Sequence, residues 1–191
     1  HFVRRRQRQM CIRDSHYIML YNQNEQQPPK PKGIDADLMR GAYLFSEAAD
    51  GDGPVIRLLG SGPILSHVRE AAELLIEYGV RSEVWSVPSY GELRRAGLAA
   101  ERATRLDPQN PQSAFVSECF GDDVTTVAAS DYIAAVPEMI QRWVGGRFVV
   151  LGTDGYGRSD TRESLRRFFE IDTASIVAVS YTHLRAHETI L

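Results

Sequence analysis

The side chains best suited to chemistry lie in one glycine-rich segment, residues 152–160, which connects an apolar run to an amphipathic one. Carboxylates, hydroxyls, a guanidinium and a phenol stand close together there, and such a loop can bind an anion or face a neighbouring subunit. The plainer interpretation is a flexible loop before a helix capped by Asp160, with Arg158 paired to Asp154. The residues alone leave both interpretations open. The candidate residues of the loop are Asp154, Tyr156, Arg158, Ser159 and Asp160.

A second candidate site is the Gly60-Ser61-Gly62-Pro63 turn, which stands where an apolar run passes into a helix. Free N–H groups at the start of a helix favour an anion, so Ser61 and Gly62 are the candidate anion-binding residues. The third glycine of a dinucleotide-binding motif would fall at Leu65. We therefore favour a tight turn without a ligand.

Reactive side chains elsewhere have plain interpretations. His67 has no partner at metal-ligand spacing and is expected on a helix surface. Cys119 has no nearby base and is expected to be an inert core thiol. Glu163 stands four residues before Arg167, which favours a solvated, self-paired helix face over a patch for an acidic partner. The other arginines of that face are Arg162 and Arg166.

The elements that must position these residues alternate along the chain. Strands are predicted at 43–48, 55–59, 80–87, 124–129 and 147–151. Helices are predicted at 35–40, 64–78, 89–95, 114–119, 130–144, 161–169 and from 173 to 179, with a helical turn or two and then a loop at 97–111. The predicted N-caps are Asp35, Ser89, Ser130 with Asp131, Asp160 and Asp172. Strands that alternate with helices predict an α/β fold with a doubly wound, mostly parallel sheet.

The composition restricts the class of protein. The chain has 191 residues, of which 43% are hydrophobic and 25% charged, and a formal net charge of −3. These values suit a soluble globular domain and exclude wholesale disorder. No apolar run approaches the length of a membrane span. The acidity gives no electrostatic case for nucleic acid, and two cysteines form neither a zinc cluster nor a disulfide framework. A cytoplasmic protein is expected.

The two ends differ from the body of the chain. Residues 1–15 carry five arginines against one aspartate and lack the apolar core of a signal peptide. Residues 180–191 break off where an apolar element should continue. We interpret both segments as non-native scar outside the fold. A basic arm for an acidic partner is the alternative for the first segment.

An apolar run at 17–21, followed by a proline-rich segment at 22–32, indicates a domain boundary. The run predicts a buried strand, and the prolines make the following segment an extended linker. A lone strand cannot be stable without neighbours, and the residues before it offer none. We therefore expect residues 16–32 to be the last strand and linker of an upstream domain, and residues 33–179 to form a whole domain.

These residues together resemble a known family. The runs VIRLLGSGPILSHVREAAELLIEYGVRSEVWSVPSYGELRRAG, SDYI and FVVLGTDGYGRSDTRESLRRFFEID resemble the C-terminal region of the pyruvate dehydrogenase decarboxylating (acetyl-transferring) component, homodimeric bacterial type. YIMLYNQNEQQPP is similar to the strand and linker that close that family's pyrimidine-binding domain. The similarity covers residues 16–179, and GTDGYGRSD is its most specific part. The family's linker reads Asn-Glu-Asn-Tyr where this chain has Asn22-Gln23-Asn24-Glu25, so contacts of that segment are not carried over.

The resemblance implies oxidative decarboxylation of pyruvate that depends on thiamine diphosphate and Mg²⁺, with acetyl transfer to lipoyl groups on an acyltransferase core. It implies a transketolase-like C-terminal domain whose role is structural and dimer-forming. The implied partners are a second subunit and the lipoyl acyltransferase, with no nucleic acid and no membrane. The family's catalytic, cofactor-binding and metal residues lie upstream, so no position here matches them and the fragment alone is expected to be inactive.

The alternative function is a free-standing α/β module that binds an anion or a nucleotide through the turn at 60–63 or the loop at 152–160. The apolar run at 17–21 discriminates between the two functions, because a self-sufficient module would have no use for an isolated strand.

The Gly51-Asp52-Gly53 triplet is not expected to hold a metal. Thiamine-diphosphate enzymes bind magnesium and the pyrophosphate with a similar triplet that is followed by asparagines. The stretch where those asparagines would fall, residues 76–81, contains none. The triplet also precedes a strand, whereas phosphate-binding loops follow one.

Overall fold

The fold is given by a computed structural model that describes residue 24 and residues 28–188. The basic segment at 1–15 and the predicted strand at 17–21 lie outside the described residues, so both remain predictions.

The described residues form strands and helices in alternation. The strands are β1 (Tyr43–Ser46), β2 (Val55–Gly60), β3 (Arg81–Ser86), β4 (Thr126–Ala129) and β5 (Phe148–Leu151). The helices are α1 (Asp35–Arg40), α2 (Ile64–Glu77), α3 (Tyr90–Leu106), α4 (Phe115–Phe120), α5 (Ala135–Glu138), α6 (Arg162–Phe168) and α7 (Thr173–Glu188), with a 3₁₀ helix at Gln141–Trp143.

The strands form one sheet in the order β1-β3-β2-β4-β5. β2, β3, β4 and β5 are parallel, and β1 joins the edge of the sheet antiparallel to β3. β2 is central and almost wholly buried, as its near-continuous apolar run requires in a parallel sheet that is covered on both faces. The predicted doubly wound, mostly parallel α/β fold is confirmed.

Each face of the sheet has its own core. Ile56 and Leu58 of β2 pack with α2 and α7 on one face, and Leu59 packs with residues of α3 and α4 on the other. This division follows from the alternation of side chains along a strand. The helices on both faces hold the sheet rigidly, so the loops at the carboxyl ends of the strands have fixed starting points.

α3 is longer than the sequence predicts. Its N-cap is Ser89, as expected, and the Ser89 hydroxyl accepts a hydrogen bond from the Glu92 N–H at 3.2 Å. The helix then continues through Gly97, although glycine is unfavourable there. A Cβ atom at Gly97 would stand 2.5 Å from the Trp143 ring, so the glycine allows the indole to lie directly on the helix.

The segment at 130–144 is not the single helix that was predicted. It contains only the short α5 and the 3₁₀ helix. Ser130 caps no helix, because its side chain is fully buried and bonded to Ser61. Two other predicted caps are also wrong: Ile34 occupies the N-cap position of α1 in place of Asp35, and Thr161 caps α6 in place of Asp160.

α7 extends beyond the predicted end of the domain. Asp172 caps it as expected, by accepting a hydrogen bond from the Ser175 N–H at 3.1 Å. The helix continues to Glu188, Ser180 is fully buried, and Leu184 belongs to the core. Tyr181 packs against Tyr78 with 5.8 Å between ring centroids. The expectation that the fold ends before residue 180 is therefore wrong, while the non-native origin of residues 180–191 remains a prediction.

Candidate functional site

The candidate site lies at the carboxyl edge of the parallel strands. β2 has β3 on one side and β4 on the other. The direction in which successive strands are added to the sheet therefore reverses between β2 and β4, although the two strands are parallel. Ligands of doubly wound proteins bind in the crevice at such a switch point. The loops that start at this edge follow Gly60, Ser86, Ala129 and Leu151.

Two serines close the switch point. The Ser61 hydroxyl donates to the Ser130 hydroxyl at 2.8 Å, and both residues are buried. Ser130 Oγ also accepts a hydrogen bond from the Tyr132 N–H at 3.1 Å. The protein's own hydroxyls therefore occupy the position between β2 and β4 where a ligand would have to reach the strands.

The turn before α2 uses its first N–H groups internally. The N–H groups of Ile64, Leu65 and Ser66 donate to the carbonyls three residues earlier, at 3.2, 3.3 and 3.3 Å. Gly62 has φ +55°, and a Cβ atom at Gly60 would stand 2.9 Å from Leu65 Cα. These glycines are explained by the tightness of the turn, and the geometry favours the ligand-free interpretation of this segment.

The first part of the 152–160 loop is fixed to the segment that follows β4. The Thr153 N–H donates to the Tyr132 carbonyl at 2.9 Å, and Asp154 Oδ1 accepts from the Ala134 N–H at 3.0 Å. A Cβ atom at Gly152 would stand 2.5 Å from Ala134 N. Glycine is therefore required at 152 for the two segments to approach each other so closely.

The outer part of the loop is exposed. Tyr156 is 95% exposed. The Arg158 guanidinium lies 3.8 Å from the centroid of the Phe168 ring, so the expected pairing of Arg158 with Asp154 is wrong. Asp160 Oδ1 accepts a hydrogen bond from the adjacent Thr161 N–H at 2.6 Å, and Thr161 caps α6. A recess of about 260 Å³ opens beside this contact. Its lining residues are Arg158, Ser159, Asp160, Ser164, Leu165 and Phe168.

The structure thus divides the predicted site residues into two groups. Ser61 and Gly62 belong to the closed switch point, whereas the residues at 154–160 belong to an exposed loop at the same edge. Sequence reasoning missed Ser130 and Tyr132, which connect the two groups. Their position directly after a predicted strand was the available signal, because the carboxyl ends of neighbouring parallel strands lie side by side.

His67 is not the surface histidine that was expected. Arg166 Nη1 donates to His67 Nε2 at 2.8 Å, and His67 Nδ1 lies 2.9 Å from Thr173 Oγ1. The Thr173 hydroxyl donates to Glu70 Oε2 at 2.8 Å. Thr173 therefore accepts from His67, which places the imidazole proton on Nδ1. The half-buried ring joins α2 to α6 and to the start of α7.

Arg57 is a buried charge that sequence reasoning also missed. Its Nη1 and Nη2 donate to the two carboxylate oxygens of Asp122 at 2.8 and 3.0 Å, and its Nε donates to Glu83 at 3.1 Å. The hydrogen bonds from Arg57 lower the pKa of Asp122 below its ordinary value. This bidentate geometry supports a structural role, because all three nitrogen atoms of the guanidinium donate to carboxylates of the same domain.

The chemistry expected of the remaining candidates is limited. Burial raises the pKa of the Cys119 thiol to about 11, as for an inert thiol. Asp52 is exposed in the turn before β2, where a Cβ atom at Gly53 would stand 2.2 Å from the Gly79 carbonyl oxygen.

Among the described residues, no group of three His, Cys, Asp or Glu side chains is arranged to hold a metal ion. No helix in that part of the chain is long and apolar enough to cross a membrane.

The family is decided by a match to its sequence model. Residues 41–172, more than half of the chain, match the transketolase-like TK C-terminal domain. The chain belongs to this family.

Solved transketolases agree with the fold: the transketolase-like domain aligns with the enzyme from Leishmania mexicana at a TM-score of 0.54 and 19% identity, over 81% of this chain and 20% of that one. The Pichia stipitis transketolase aligns at a TM-score of 0.54 and 13% identity, over 86% of this chain and 21% of that one. At these identities the likeness establishes the fold alone.

Curated relatives have higher sequence identity to this chain than these solved transketolases do. The "Pyruvate dehydrogenase E1 component" of Pseudomonas aeruginosa is 47% identical over 166 residues, which is 85% of this chain and 19% of the relative. The protein of the same name from Escherichia coli K12 is 40% identical over 172 residues, which is 88% of this chain and 19% of the relative. The transketolase-like domain and its flanking residues thus span about a fifth of the length of these curated relatives.

Proposed function

We propose that this chain is the C-terminal part of an enzyme that oxidatively decarboxylates pyruvate and transfers the acetyl group to lipoyl groups of an acyltransferase core. The observation that carries the proposal is the identity of 39–47% to relatives named "Pyruvate dehydrogenase E1 component", over 82–92% of this chain. The proposed enzyme is a cytoplasmic homodimer that uses thiamine diphosphate and Mg²⁺.

The domain described above is proposed to contribute structure and dimer contacts, while the cofactor is held elsewhere in the enzyme. Mg²⁺ needs several oxygen ligands in near-octahedral geometry. At the carboxyl edge, Asp154 accepts a hydrogen bond from the Ala134 N–H and Asp160 accepts one from the Thr161 N–H. Among the described residues, no three His, Cys, Asp or Glu side chains are arranged to hold a metal ion. Those residues therefore do not fit the metal of the cofactor, and no chemical step is assigned to them.

A free-standing anion- or nucleotide-binding module is less well supported. Such a module needs free donors at the switch point, and the Ser61–Ser130 hydrogen bond and the internally bonded turn before α2 leave few. The length of the relatives also favours a part of a larger enzyme over a complete module.

Calorimetry of the chain with thiamine diphosphate and Mg²⁺ tests whether the cofactor is held outside this domain. We expect no heat of binding above that of dilution, because the described residues contain no group of side chains arranged to hold a metal ion. The matched control is the exchange enzyme, in which this chain replaces the matching region of the Pseudomonas aeruginosa relative, and we expect it to bind the cofactor. Micromolar binding by the chain alone would overturn the placement of the cofactor site.

A further inference from the structure

A cavity toward the amino edge of the sheet is separate from the candidate site at the carboxyl edge. It has a volume of about 250 Å³ and lies between β1, β3 and α2. We call it the amino-edge cavity. It is smaller than the ~300–1,000 Å³ clefts that hold drug-sized ligands, so it suits a molecule of the size of an amino acid. Its apolar walls are formed by Phe45, Ala72, Ile76 and Val84.

The amino-edge cavity exists because β1 is short and irregular. The register shifts between Leu44 and Ser46, so Phe45 is an extra residue in the pairing of β1 with β3. A bulge of this kind redirects a side chain and disrupts the pairing of an edge strand. Phe45 packs against the core on the α2 face of the sheet. Ser46 pairs with Val84 and β1 ends there, so the first residues of β3 have no strand beside them on this side.

A buried hydroxyl in the wall of the amino-edge cavity lacks a hydrogen-bond partner. Ser82 lines the cavity and is only 6% exposed, and its Oγ has no partner among the described residues. Because side chains alternate along a strand, Ser82 lies on the same face of β3 as Val84, which packs with α2. A buried hydroxyl without a partner costs free energy in the folded chain. A polar group of a bound molecule supplies the partner that the protein does not.

Three charged side chains at the amino-edge cavity form no salt bridge in the described part of the chain: Glu47, Arg69 and Glu73. The Arg69 guanidinium carbon lies 5.0 Å from the centroid of the Phe45 ring, although Glu73 stands one helical turn later on α2. The cavity therefore offers a ligand one guanidinium and two carboxylates beside its apolar walls.

We propose that the amino-edge cavity binds a small zwitterion with an apolar side chain, of the class of free α-amino acids. The Arg69 guanidinium binds the carboxylate of the ligand, because its N–H groups match a carboxylate in geometry and charge. Glu47 and Glu73 bind the ammonium group, and the apolar walls contain the side chain. A simple carboxylic acid leaves both glutamates without a counter-charge and a simple amine leaves Arg69 without one, so a molecule with both charges is complementary.

Saturation-transfer NMR of the chain with L-leucine, L-valine and L-phenylalanine tests the proposal. We expect saturable binding of at least one of them, and illustrate the controls with L-leucine. Its matched probes are 4-methylpentanoate, which lacks the ammonium group, and 3-methylbutylamine, which lacks the carboxylate. We expect each probe to bind about tenfold or more weakly, as for the loss of a hydrogen bond to a charged group.

Variants of the chain locate the bound molecule. Arg69→Met keeps the apolar stem and should raise the dissociation constant about tenfold or more. Glu47→Gln should raise it less, because the carboxylate of Glu73 remains. The matched control is Arg94→Met, which removes an exposed arginine of α3 on the other face of the sheet and should leave the dissociation constant unchanged.

Ser82→Ala separates a role in binding from a role in folding. Removing an unsatisfied hydroxyl relieves its desolvation cost, so the midpoint of thermal unfolding should rise or stay the same while the ligand binds more weakly. Joint loss of stability and binding would contradict the role of Ser82 in the cavity. Saturable binding of none of the three amino acids would overturn the proposal. Equally tight binding of either probe, or binding that Arg69→Met leaves unchanged, would overturn it as well.

Discussion

Arg57 and Arg158 both lie near phenylalanine rings, but their surroundings are opposite. Arg57 is 3% exposed, its guanidinium carbon is 5.6 Å from the Phe120 ring centroid, and two carboxylates accept its hydrogen bonds. Arg158 is exposed and lies 3.8 Å from the centroid of the Phe168 ring. The comparison indicates that a buried guanidinium hydrogen-bonded to carboxylates of its own domain serves stability, whereas a guanidinium held over an exposed ring is available to a partner.

The largest effect on stability is expected at Arg57. Arg57→Met keeps the apolar stem and removes the guanidinium, which takes both of its hydrogen bonds from Asp122 and leaves Glu83 with only the Trp85 indole N–H as donor. We expect the free energy of unfolding to fall by about 1.5–3 kcal/mol, the range for hydrogen bonds to charged groups. Urea unfolding measures the change. Arg158→Met is the matched control and should change the value by less than about 1 kcal/mol, the size of an exposed cation–π contact. Equal losses of unfolding free energy in the two variants would contradict the different roles assigned to Arg57 and Arg158.

Arg158 should matter in the assembled enzyme instead. In the exchange enzyme, we expect Arg158→Ala to weaken the dimer or lower the turnover of pyruvate by an amount equivalent to ~1–3 kcal/mol, as for the loss of a charged hydrogen bond to a partner. Sedimentation and steady-state kinetics measure the two effects. Normal assembly together with normal kinetics would refute a binding role for this arginine.

Two buried serines, one with a hydrogen-bond partner and one without, test how internal hydrogen bonds contribute to stability. Ser180 is fully buried and its hydroxyl has no hydrogen-bond partner among the described residues, whereas the buried Ser61 hydroxyl donates to Ser130. Removing an unsatisfied group relieves its desolvation cost, and removing a bonded one loses a hydrogen bond. We expect Ser180→Ala to stabilise the chain by about 1 kcal/mol and Ser61→Ala to destabilise it by about 1 kcal/mol. Thermal unfolding of both variants distinguishes them, and a loss of stability in Ser180→Ala would contradict the packing of α7.

The smallest expected effect is a dependence of stability on pH. The hydrogen bonds and charge of Arg57 lower the pKa of Asp122 from its ordinary value of 3.8. A carboxyl with a lowered pKa in the folded state stabilises the fold above its ordinary pKa, and this contribution is lost as the pH falls through the lower folded value. The difference in unfolding free energy between wild type and Arg57→Met should therefore shrink below about pH 4. A difference that is constant from pH 7 to pH 3 would show that the pair is not coupled.

The sequence predicted the parts of the fold that local patterns determine. The alternation of strands and helices, the Ser89 cap with Glu92 three residues on, and the Asp172 cap all depend on neighbouring residues, and the structure has each of them. The length of α3 was not predictable, because glycine is unfavourable inside a helix and the Trp143 ring that packs on Gly97 is distant in the sequence.

The candidate site was only partly predictable for the same reason. The exposed loop at 152–160 is evident from its glycines and charges, but its attachment depends on residues that follow another strand. The Ser61–Ser130 bond joins residues 69 positions apart, and the Arg57–Asp122 bonds join residues 65 apart. Without the order of the strands, no pattern in the sequence brings these pairs together. The packed second half of α7 was missed because residues 180–191 were interpreted as non-native scar outside the fold, whereas Leu184 belongs to the core.

The central proposal is that this domain supplies structure to a pyruvate-decarboxylating enzyme and none of its chemistry. Pyruvate-dependent dye reduction by the exchange enzyme, compared with the isolated chain and with the relative lacking the matched region, tests that claim most directly. We predict turnover by the exchange enzyme, no turnover by the isolated chain above a heat-treated control, and impaired turnover by the relative without the region. Turnover by the isolated chain, or none by an exchange enzyme that assembles and binds the cofactor, would contradict it.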